Sequence, residues 1–235
     1  MKQINKFITE YIVKKKLYKP IDSEDHYKYF PKTKEELRKN IQELLDKNIY
    51  NFNCIDTSAI TDMANLFDSG YYNKKLNNID ISKWNVSNVK YMQYMFYNYE
   101  KFDCDLSKWN VSNVKDMEGM FYKCWIFAGN GLENWDVSNV TNMDTVFENC
   151  KKLNCNLSNW DVHNVTSMVS MFEDCTNFNS DLSNWNVSNV TDMSYMFYGC
   201  ELFDCDLSGW DVNKVRYMDF MFDNCMKLKK IPSWY

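Results

Sequence analysis

The sequence predicts an α/β solenoid in which each coil of about 25 residues contains one short strand and one short helix. Tryptophan recurs at nearly constant intervals, which indicates a tandem repeat. Each interval contains two apolar patterns, one with the spacing of a helix and one with the spacing of a strand. A helical segment with its own start motif precedes the first repeat, as expected for an end cap.

The repeat is visible in its conserved skeleton of Trp-[Asn/Asp]-Val-Ser-Asn-Val, followed by Met, a Met-Phe pair and Cys. A degenerate first unit, Ile55 to Phe67, keeps the same apolar positions, so the chain contains about seven units. No unit can bury its apolar side chains alone, and the units must therefore stack. The tryptophans that mark the units are Trp84, Trp109, Trp135, Trp160, Trp185, Trp210 and Trp234.

The second half of each unit has the apolar spacing of a short helix. In one unit this stripe begins at Val190 and continues through Met193, Met196, Phe197 and Cys200. Asn189 stands where an N-cap is expected, with Asp192 three residues later as in a capping box. About three turns of α-helix or 3₁₀ helix are predicted here.

The first half of each unit has the spacing of a strand. Leu182, Trp185 and Val187 follow the pattern L-x-x-L-x-L, in which alternate side chains of the strand segment of a leucine-rich repeat point into the core. The combination predicts a right-handed solenoid similar to those of leucine-rich-repeat proteins.

The segment from Asp181 to Cys200 carries a specific pattern, Asp-Leu-Ser-x-Trp-[Asn/Asp]-Val-Ser-Asn-Val-x-x-Met-x-x-Met-Phe-x-x-Cys. This pattern resembles the BspA-like leucine-rich-repeat surface proteins, and the resemblance extends over residues 56–226. It implies the leucine-rich-repeat fold and a role in adhesion at a cell surface, where most members are secreted or lipid-anchored. This chain departs from those members because it has neither a secretory signal nor a lipobox.

The chain is expected to divide into a helical N-terminal cap, residues 1–50, and the solenoid, residues 51–235. Thr33 and Glu36 form a capping box, which predicts a helix over residues 33–47. A second helix is predicted over residues 3–16. No polar cap follows the last coil, so self-association through that coil is an expectation.

Charge and composition exclude several classes of partner. The net charge is −5, and residues 49–235 alone carry −9, which repels the phosphates of nucleic acids. No apolar run is long enough to span a membrane. Nine cysteines without a secretory signal indicate free thiols in the cytoplasm, or in a virion or its host's cytoplasm. A surface location remains possible through the family resemblance.

The polar columns of the repeat leave two interpretations each. The cysteine columns predict buried, small apolar side chains between coils, with disulfides between coils as the alternative. The Asp/Asn columns predict hydrogen bonding to turn backbone, with cation sites as the alternative. The cysteine columns are Cys124, Cys150, Cys175, Cys200 and Cys225, and Cys104, Cys155 and Cys205. The Asp/Asn columns are Asp80, Asp105, Asp181 and Asp206, and Asn85, Asn110, Asp136, Asp161, Asn186 and Asp211.

No set of residues predicts an enzyme or a cofactor site. The two histidines, His26 and His163, are far apart in the sequence, and His163 occupies a slot that other units fill with serine. Phosphate-binding and metalloprotease motifs are absent from the sequence. We therefore expect no catalytic residue, no cofactor and no metal ligand.

Aromatic residues vary between units at slots that face solvent, and this predicts an interaction surface. Neutral drift of the outer positions is the alternative interpretation. The function expected is a non-catalytic scaffold that binds another protein through its repeat surface; the alternative is a BspA-like surface adhesin exported without a standard signal. The candidate residues are Tyr91, Tyr94, Tyr97, Tyr122, Trp125, Tyr195, Tyr198 and Tyr217.

Overall fold

A computed structural model describes residues 27–67, 71–72, 76 and 78–235 of the chain. Within these residues there is one α-helix, α1 (Lys34–Asp46), and one short 3₁₀ helix, Leu132–Asn134. Strand pairing in the same residues consists of isolated parallel bridges, each one residue long. Most of the described chain is therefore built from turns that stack on one another.

Helix α1 forms where the capping box predicts it. The Thr33 side chain accepts a hydrogen bond from the Glu36 N–H, and the Glu36 carboxylate accepts one from the Lys32 N–H. Leu37, Ile41 and the Leu44–Leu45 pair form the buried face of α1, which joins the core of the repeats. The helix predicted over residues 3–16 lies outside the described residues.

The repeats are aligned by one continuous ladder of bridges. The bridged residue defines position 1 of a nine-residue turn segment, so that Asp192 is position 1 and Cys200 is position 9 of one segment. Equivalent residues of neighbouring repeats therefore lie side by side along the stack. The residues at position 1 are Asp62, Tyr91, Asp116, Asn142, Ser167, Asp192 and Tyr217.

The helix predicted in each repeat does not form. Between Val190 and Cys200 the N–H groups alternate: that of Met196 closes a turn to Met193 O, whereas that of Phe197 donates to Met221 O of the next repeat. The backbone also has positive φ at positions 4 and 8, as at Tyr195 (59°) and Gly199 (70°). A helix would need every one of these N–H groups within its own segment, so bonding between repeats excludes it.

The strand predicted at Leu182, Trp185 and Val187 is also wrong. The Trp185 N–H bonds to Leu182 O and closes a turn, and the bridged residue of this repeat, Asp192, lies instead in the segment predicted to be helical. Asn189 does not cap a helix, because its Nδ2 donates to the carbonyl of His163 in the preceding repeat at 2.7 Å. The apolar spacing predicted the buried side chains of both halves while the backbone took a different form.

The core consists of stacked columns of identical side chains. Trp135, Trp160 and Trp185 lie parallel, with 6.4 Å between neighbouring ring centroids. Each indole Nε1 donates to a carbonyl of the preceding repeat, as from Trp160 to Leu132 O at 2.8 Å. Because the indole N–H is satisfied at the interface between repeats, tryptophan can be nearly fully buried there. The phenylalanines at position 6 stack in the same way.

Candidate functional site

Seven of the eight predicted surface residues fall in three columns of the turn segment. Tyr91 and Tyr217 occupy position 1; Tyr94 and Tyr195 occupy position 4. The other three tyrosines, Tyr97, Tyr122 and Tyr198, occupy position 7 of their repeats. We call these three columns the tyrosine face, and its predicted members are Tyr91, Tyr94, Tyr97, Tyr122, Tyr195, Tyr198 and Tyr217.

One cluster of tyrosines lies in the first two complete repeats. The rings of Tyr94 and Tyr97 meet edge to face at 5.7 Å, and Tyr97 stacks on Tyr122 with 4.7 Å between centroids. Lys123 Nζ lies 4.9 Å from the centre of the Tyr122 ring. The rings therefore form one continuous aromatic surface that crosses the boundary between repeats.

The position of Tyr94 is set by the next repeat. Its ring lies over Gly119, which occupies position 4 there and has no side chain to displace it. Its hydroxyl donates to the Glu118 carboxylate. Burial and this carboxylate hold the pKa of Tyr94 well above its usual range. Tyr94 is half-buried and held in place, whereas Tyr91 and Tyr97 are exposed.

A second cluster lies near the C-terminal end of the stack. Tyr195 contacts Tyr198 at 6.0 Å and stacks on Phe220 at 5.1 Å. Phe220 is 51% exposed and was not among the predicted surface residues. Its repeat position, the same as that of Tyr94 and Tyr195, is the sequence feature that could have identified it.

The two clusters are separated by two repeats whose side chains at positions 1, 4 and 7 are polar. Glu148 and Glu173 occupy position 7 there, and Asp144 lies half-buried at position 3. Burial raises the pKa of Glu148 to about 7, and the nearby Glu173 carboxylate adds to the effect. Burial also raises the pKa of Asp144, although Ser167 and the Val169 N–H donate to it. The face is therefore aromatic at both ends and acidic between them.

Trp125 lies apart from the tyrosine face. It follows position 9 of its repeat, and its ring is 41% exposed beneath Lys151 Nζ, which lies 5.8 Å from the ring centre. Among the described residues no ring contact joins Trp125 to the tyrosines. The structure thus brings seven of the predicted residues into shared columns and leaves Trp125 separate.

The main cysteine column has a structural role in the core. Cys150, Cys175 and Cys200 are fully buried, and each thiol donates to a phenylalanine carbonyl of the preceding repeat at 2.9 to 3.0 Å. Burial raises the pKa of all three well above its usual range. All nine cysteines are free thiols, so the disulfide alternative is not seen.

The Asp/Asn columns bond to turn backbone. In each case the side-chain oxygen accepts a hydrogen bond from the N–H two residues later, forming an Asx turn. Within the described residues no group of three or more His, Cys, Asp or Glu side chains is arranged to hold a metal ion. The residues forming these turns are Asp80, Asn85, Asp105, Asn110, Asp136, Asn156, Asp161, Asp181, Asn186, Asp206 and Asp211.

The half-buried His163 takes part in one of these turns. The backbone N–H of His163 donates to the Asp161 carboxylate, and its Nδ1 lies 2.8 Å from the same oxygen. This contact contributes to the lowered pKa of Asp161. His26 lies outside the described residues.

A family model matches the chain twice in tandem, over residues 34–131 and 123–234. The family is described as a Mycoplasma protein of unknown function, DUF285. The chain belongs to the DUF285 family. The two matches together extend from the start of α1 through the last tryptophan, so this DUF285 chain is a repeat protein over nearly all of its described length.

Neither the curated proteins nor the solved structures contain a significant match to this DUF285 chain. A search of the described residues for helices long and apolar enough to cross a membrane finds none.

Proposed function

We propose that this DUF285 protein is a non-catalytic scaffold that binds another protein across its tyrosine face. The observation that carries the proposal is the grouping of aromatic side chains at positions 1, 4 and 7 into two clusters, whose exposed tyrosines are Tyr91, Tyr97, Tyr195 and Tyr217. Tyrosine and other aromatic residues are enriched at protein interfaces because they bury a large area and also offer a polar group. A partner would contact side chains whose spacing is determined by the repeat.

The backbone beneath these rings is held in a regular arrangement. The N–H groups of Tyr94 and Tyr195 both donate to carbonyls of the next repeat, at 2.8 and 2.9 Å. A surface with its backbone ordered before binding loses less conformational entropy when a partner docks. Rigid complementarity therefore supports recognition without any chemical step.

The spacing of the two clusters indicates how a partner would bind. Tyr122 and Tyr195 are three repeats apart, which at the usual separation of neighbouring strands is roughly 15 Å. The acidic residues Glu148 and Glu173 lie between them. A partner that contacts both clusters would also have to neutralise or avoid these carboxylates, and this would add specificity.

The resemblance to BspA-like leucine-rich-repeat proteins favours a second candidate, a surface adhesin with a right-handed solenoid fold. Its support is the repeat signature at Asp181 to Cys200 together with the tandem family match. Exposed tyrosines serve an adhesin as well as an intracellular scaffold. The two candidates differ in where the protein is found, and protease treatment of intact cells or particles should degrade only an adhesin.

The experiment that tests the scaffold is capture of partners from native lysate with the full chain and two matched variants. Tyr97→Ser, Tyr195→Ser and Tyr217→Ser together remove three exposed rings from the tyrosine face. Ile126→Ser, Leu202→Ser and Phe30→Ser remove three exposed apolar side chains elsewhere. We expect a specific partner to be retained by the second variant and lost by the first. Equal retention by both variants would show that the tyrosine face is not the binding surface.

A further inference from the structure

The turn segments that carry the tyrosine face are acidic as well as aromatic. The four interior segments, 116–124, 142–150, 167–175 and 192–200, contain seven Asp or Glu residues and one basic residue, Lys123. The whole chain is much closer to balance, with 32 Asp or Glu residues and 27 Lys or Arg residues. Each interior segment has a repeat on both sides, so its surface does not depend on where the chain begins or ends. Negative charge is thus concentrated on the part of each repeat that carries the tyrosines.

The two tyrosine clusters leave the middle of the face without aromatic side chains. The two repeats between the clusters carry Thr145 and Ser170 at position 4, and Glu148 and Glu173 at position 7. We call these four residues the central gap. All of them except Ser170 are partly exposed. The gap therefore offers hydroxyls and carboxylates where the neighbouring repeats offer rings.

Carboxylates form two groups at the central gap. Burial raises the pKa of Asp144, and the carboxylates of Glu118 and Asp192 add to the effect. Burial also raises the pKa of Glu148, and there the carboxylate of Glu173 adds to it. The members of each group therefore lie close enough to repel one another, and a positive charge placed between them would be attracted by both.

Lys123 shows how a cation lies against this surface. Its Nζ is 4.9 Å from the centre of the Tyr122 ring, and its charge acts to lower the pKa of Glu148, against the effect of burial. A cation is attracted both by the face of an aromatic ring and by a carboxylate. The equivalent residues of the next three repeats are Asn149, Asp174 and Gly199. The contact that Lys123 makes at one edge of the central gap is therefore not repeated along position 8.

The residue before position 1 is also neutral beside the central gap. It is Lys90 and Lys115 in the first two complete repeats and threonine in the next three. Each threonine hydroxyl donates to a backbone carbonyl of the preceding repeat, at 3.0 to 3.2 Å. These threonines are Thr141, Thr166 and Thr191. The carboxylates of Asp144 and Asp192 therefore have neutral side chains beside them in this row.

We propose that the partner of the tyrosine face presents a basic segment, whose lysine or arginine side chains occupy the central gap between the two clusters. This inference rests on the proposed function, because it names the chemistry of the partner bound there. Arginine suits the surface best, since its planar guanidinium pairs with carboxylates and also stacks on aromatic rings. An acidic segment would add to the repulsion among the carboxylates that are already present.

The test uses the full chain and a labelled peptide of about nine residues in which arginine alternates with serine, measured by fluorescence anisotropy. Such a peptide spans roughly 30 Å when extended, which is enough to reach from one cluster to the other. The control peptide carries citrulline in place of each arginine, which keeps the size of the side chain and removes its charge. We expect saturable binding of one arginine peptide per chain, and an affinity at least tenfold lower for the citrulline peptide.

Two variants of equal net charge distinguish the central gap from the charge of the whole chain. Glu148→Gln combined with Glu173→Gln removes two carboxylates of the gap, and we expect at least a tenfold loss of affinity for the arginine peptide. Asp136→Asn combined with Asp161→Asn removes two carboxylates outside the tyrosine face. Asparagine forms the same Asx turn in that column, as at Asn110, so this variant should fold normally and bind the peptide within about twofold of the unchanged chain.

Three results would overturn the inference: no saturable binding of the arginine peptide, equal binding of the arginine and citrulline peptides, or equal losses in the two charge variants. The last result would mean that the peptide responds to net charge alone. A natural partner that depends on the tyrosines, but is retained equally by both charge variants, would also overturn it and leave the proposed function standing. Peptide binding that requires the central gap, without capture of any partner that depends on the tyrosines, would contradict the proposed function and support a basic ligand at this site.

Discussion

The ring of Tyr94 lies over Gly119, the residue at the same position of the next repeat. A side chain at residue 119 would occupy the space that two carbons of the ring fill. Thr145 and Ser170, at the same position in later repeats, have side chains at φ of 54° and 53°, so the backbone there accepts residues other than glycine. Residues other than glycine are therefore excluded at position 119 mainly because their side chain would collide with the Tyr94 ring. The positive φ of the backbone is the smaller reason.

Gly119→Ala should displace the Tyr94 ring and break its hydrogen bond to Glu118, lowering the free energy of unfolding by about 1–2 kcal/mol. The measurement is denaturant unfolding of a double-mutant cycle with Tyr94→Ala. In the Tyr94→Ala background the same glycine substitution should cost clearly less, because the ring is gone. Equal costs in the two backgrounds would show that the contact does not constrain residue 119.

Trp160→Phe removes the indole N–H that bonds to Leu132 O and leaves a void between two stacked rings. We expect a loss of about 2–4 kcal/mol, which combines an unpaired buried carbonyl with lost packing. Trp125→Phe is the matched control, since Trp125 is 41% exposed and lies outside the tryptophan column, and it should change stability by less than about 0.5 kcal/mol. Thermal or urea unfolding measures both; similar effects would contradict a role for the tryptophan column.

Cys175→Ala removes the thiol that donates to Phe147 O and leaves a small cavity, and we expect a cost of about 1–2 kcal/mol. Because burial raises the pKa of the Cys175 thiol well above its usual range, it should react with a thiol reagent only when the protein unfolds. The measurement is the rate of thiol modification in native buffer and in denaturant. Rapid modification of Cys175 in the native protein would contradict its burial.

The pKa of Glu148, raised to about 7 by burial, makes stability depend on pH. The folded protein binds the proton of the Glu148 carboxyl more tightly than the unfolded chain does. The contribution of Glu148 to the free energy of unfolding is therefore present in acid and is lost as pH rises toward 7. We expect Glu148→Gln to be more stable than the unchanged chain at pH 8, by about 1 kcal/mol after allowance for solvent screening. The difference should shrink toward pH 5.

The control for Glu148→Gln is Glu201→Gln, at an exposed residue of a later repeat. It should leave the pH dependence of the melting temperature unchanged. A Glu148→Gln profile parallel to that of the unchanged chain between pH 5 and 8 would show that Glu148 titrates normally.

The sequence predicted the buried side chains better than it predicted the backbone. Val190, Met193 and Phe197 are all fully buried, as their spacing requires. The same spacing fits a helix and also a chain of turns in which alternate N–H groups bond to the next repeat. Only the neighbouring repeat distinguishes the two, because it supplies the acceptor for the Phe197 N–H at Met221 O.

The sequence predicted only in part which outer side chains lie together, for a similar reason. Repeat alignment placed Tyr94 and Tyr195 in one column, but Phe220 was overlooked and Trp125 was included although it lies apart. Variation between units indicates which side chains face outward. It does not indicate which of them touch, since that depends on ring orientation across the boundary between repeats.

By itself the sequence determined the repeat, its period and the membership of its core, because each apolar column must be buried by the identical column beside it. The tertiary structure decided the path of the backbone and the direction of the stack. Those depend on where each N–H finds its carbonyl, and the partner of Tyr94 N lies 24 residues away at Glu118 O. A donor that bonds to a neighbouring repeat cannot be identified from local pattern, because its acceptor is fixed only when the repeats stack.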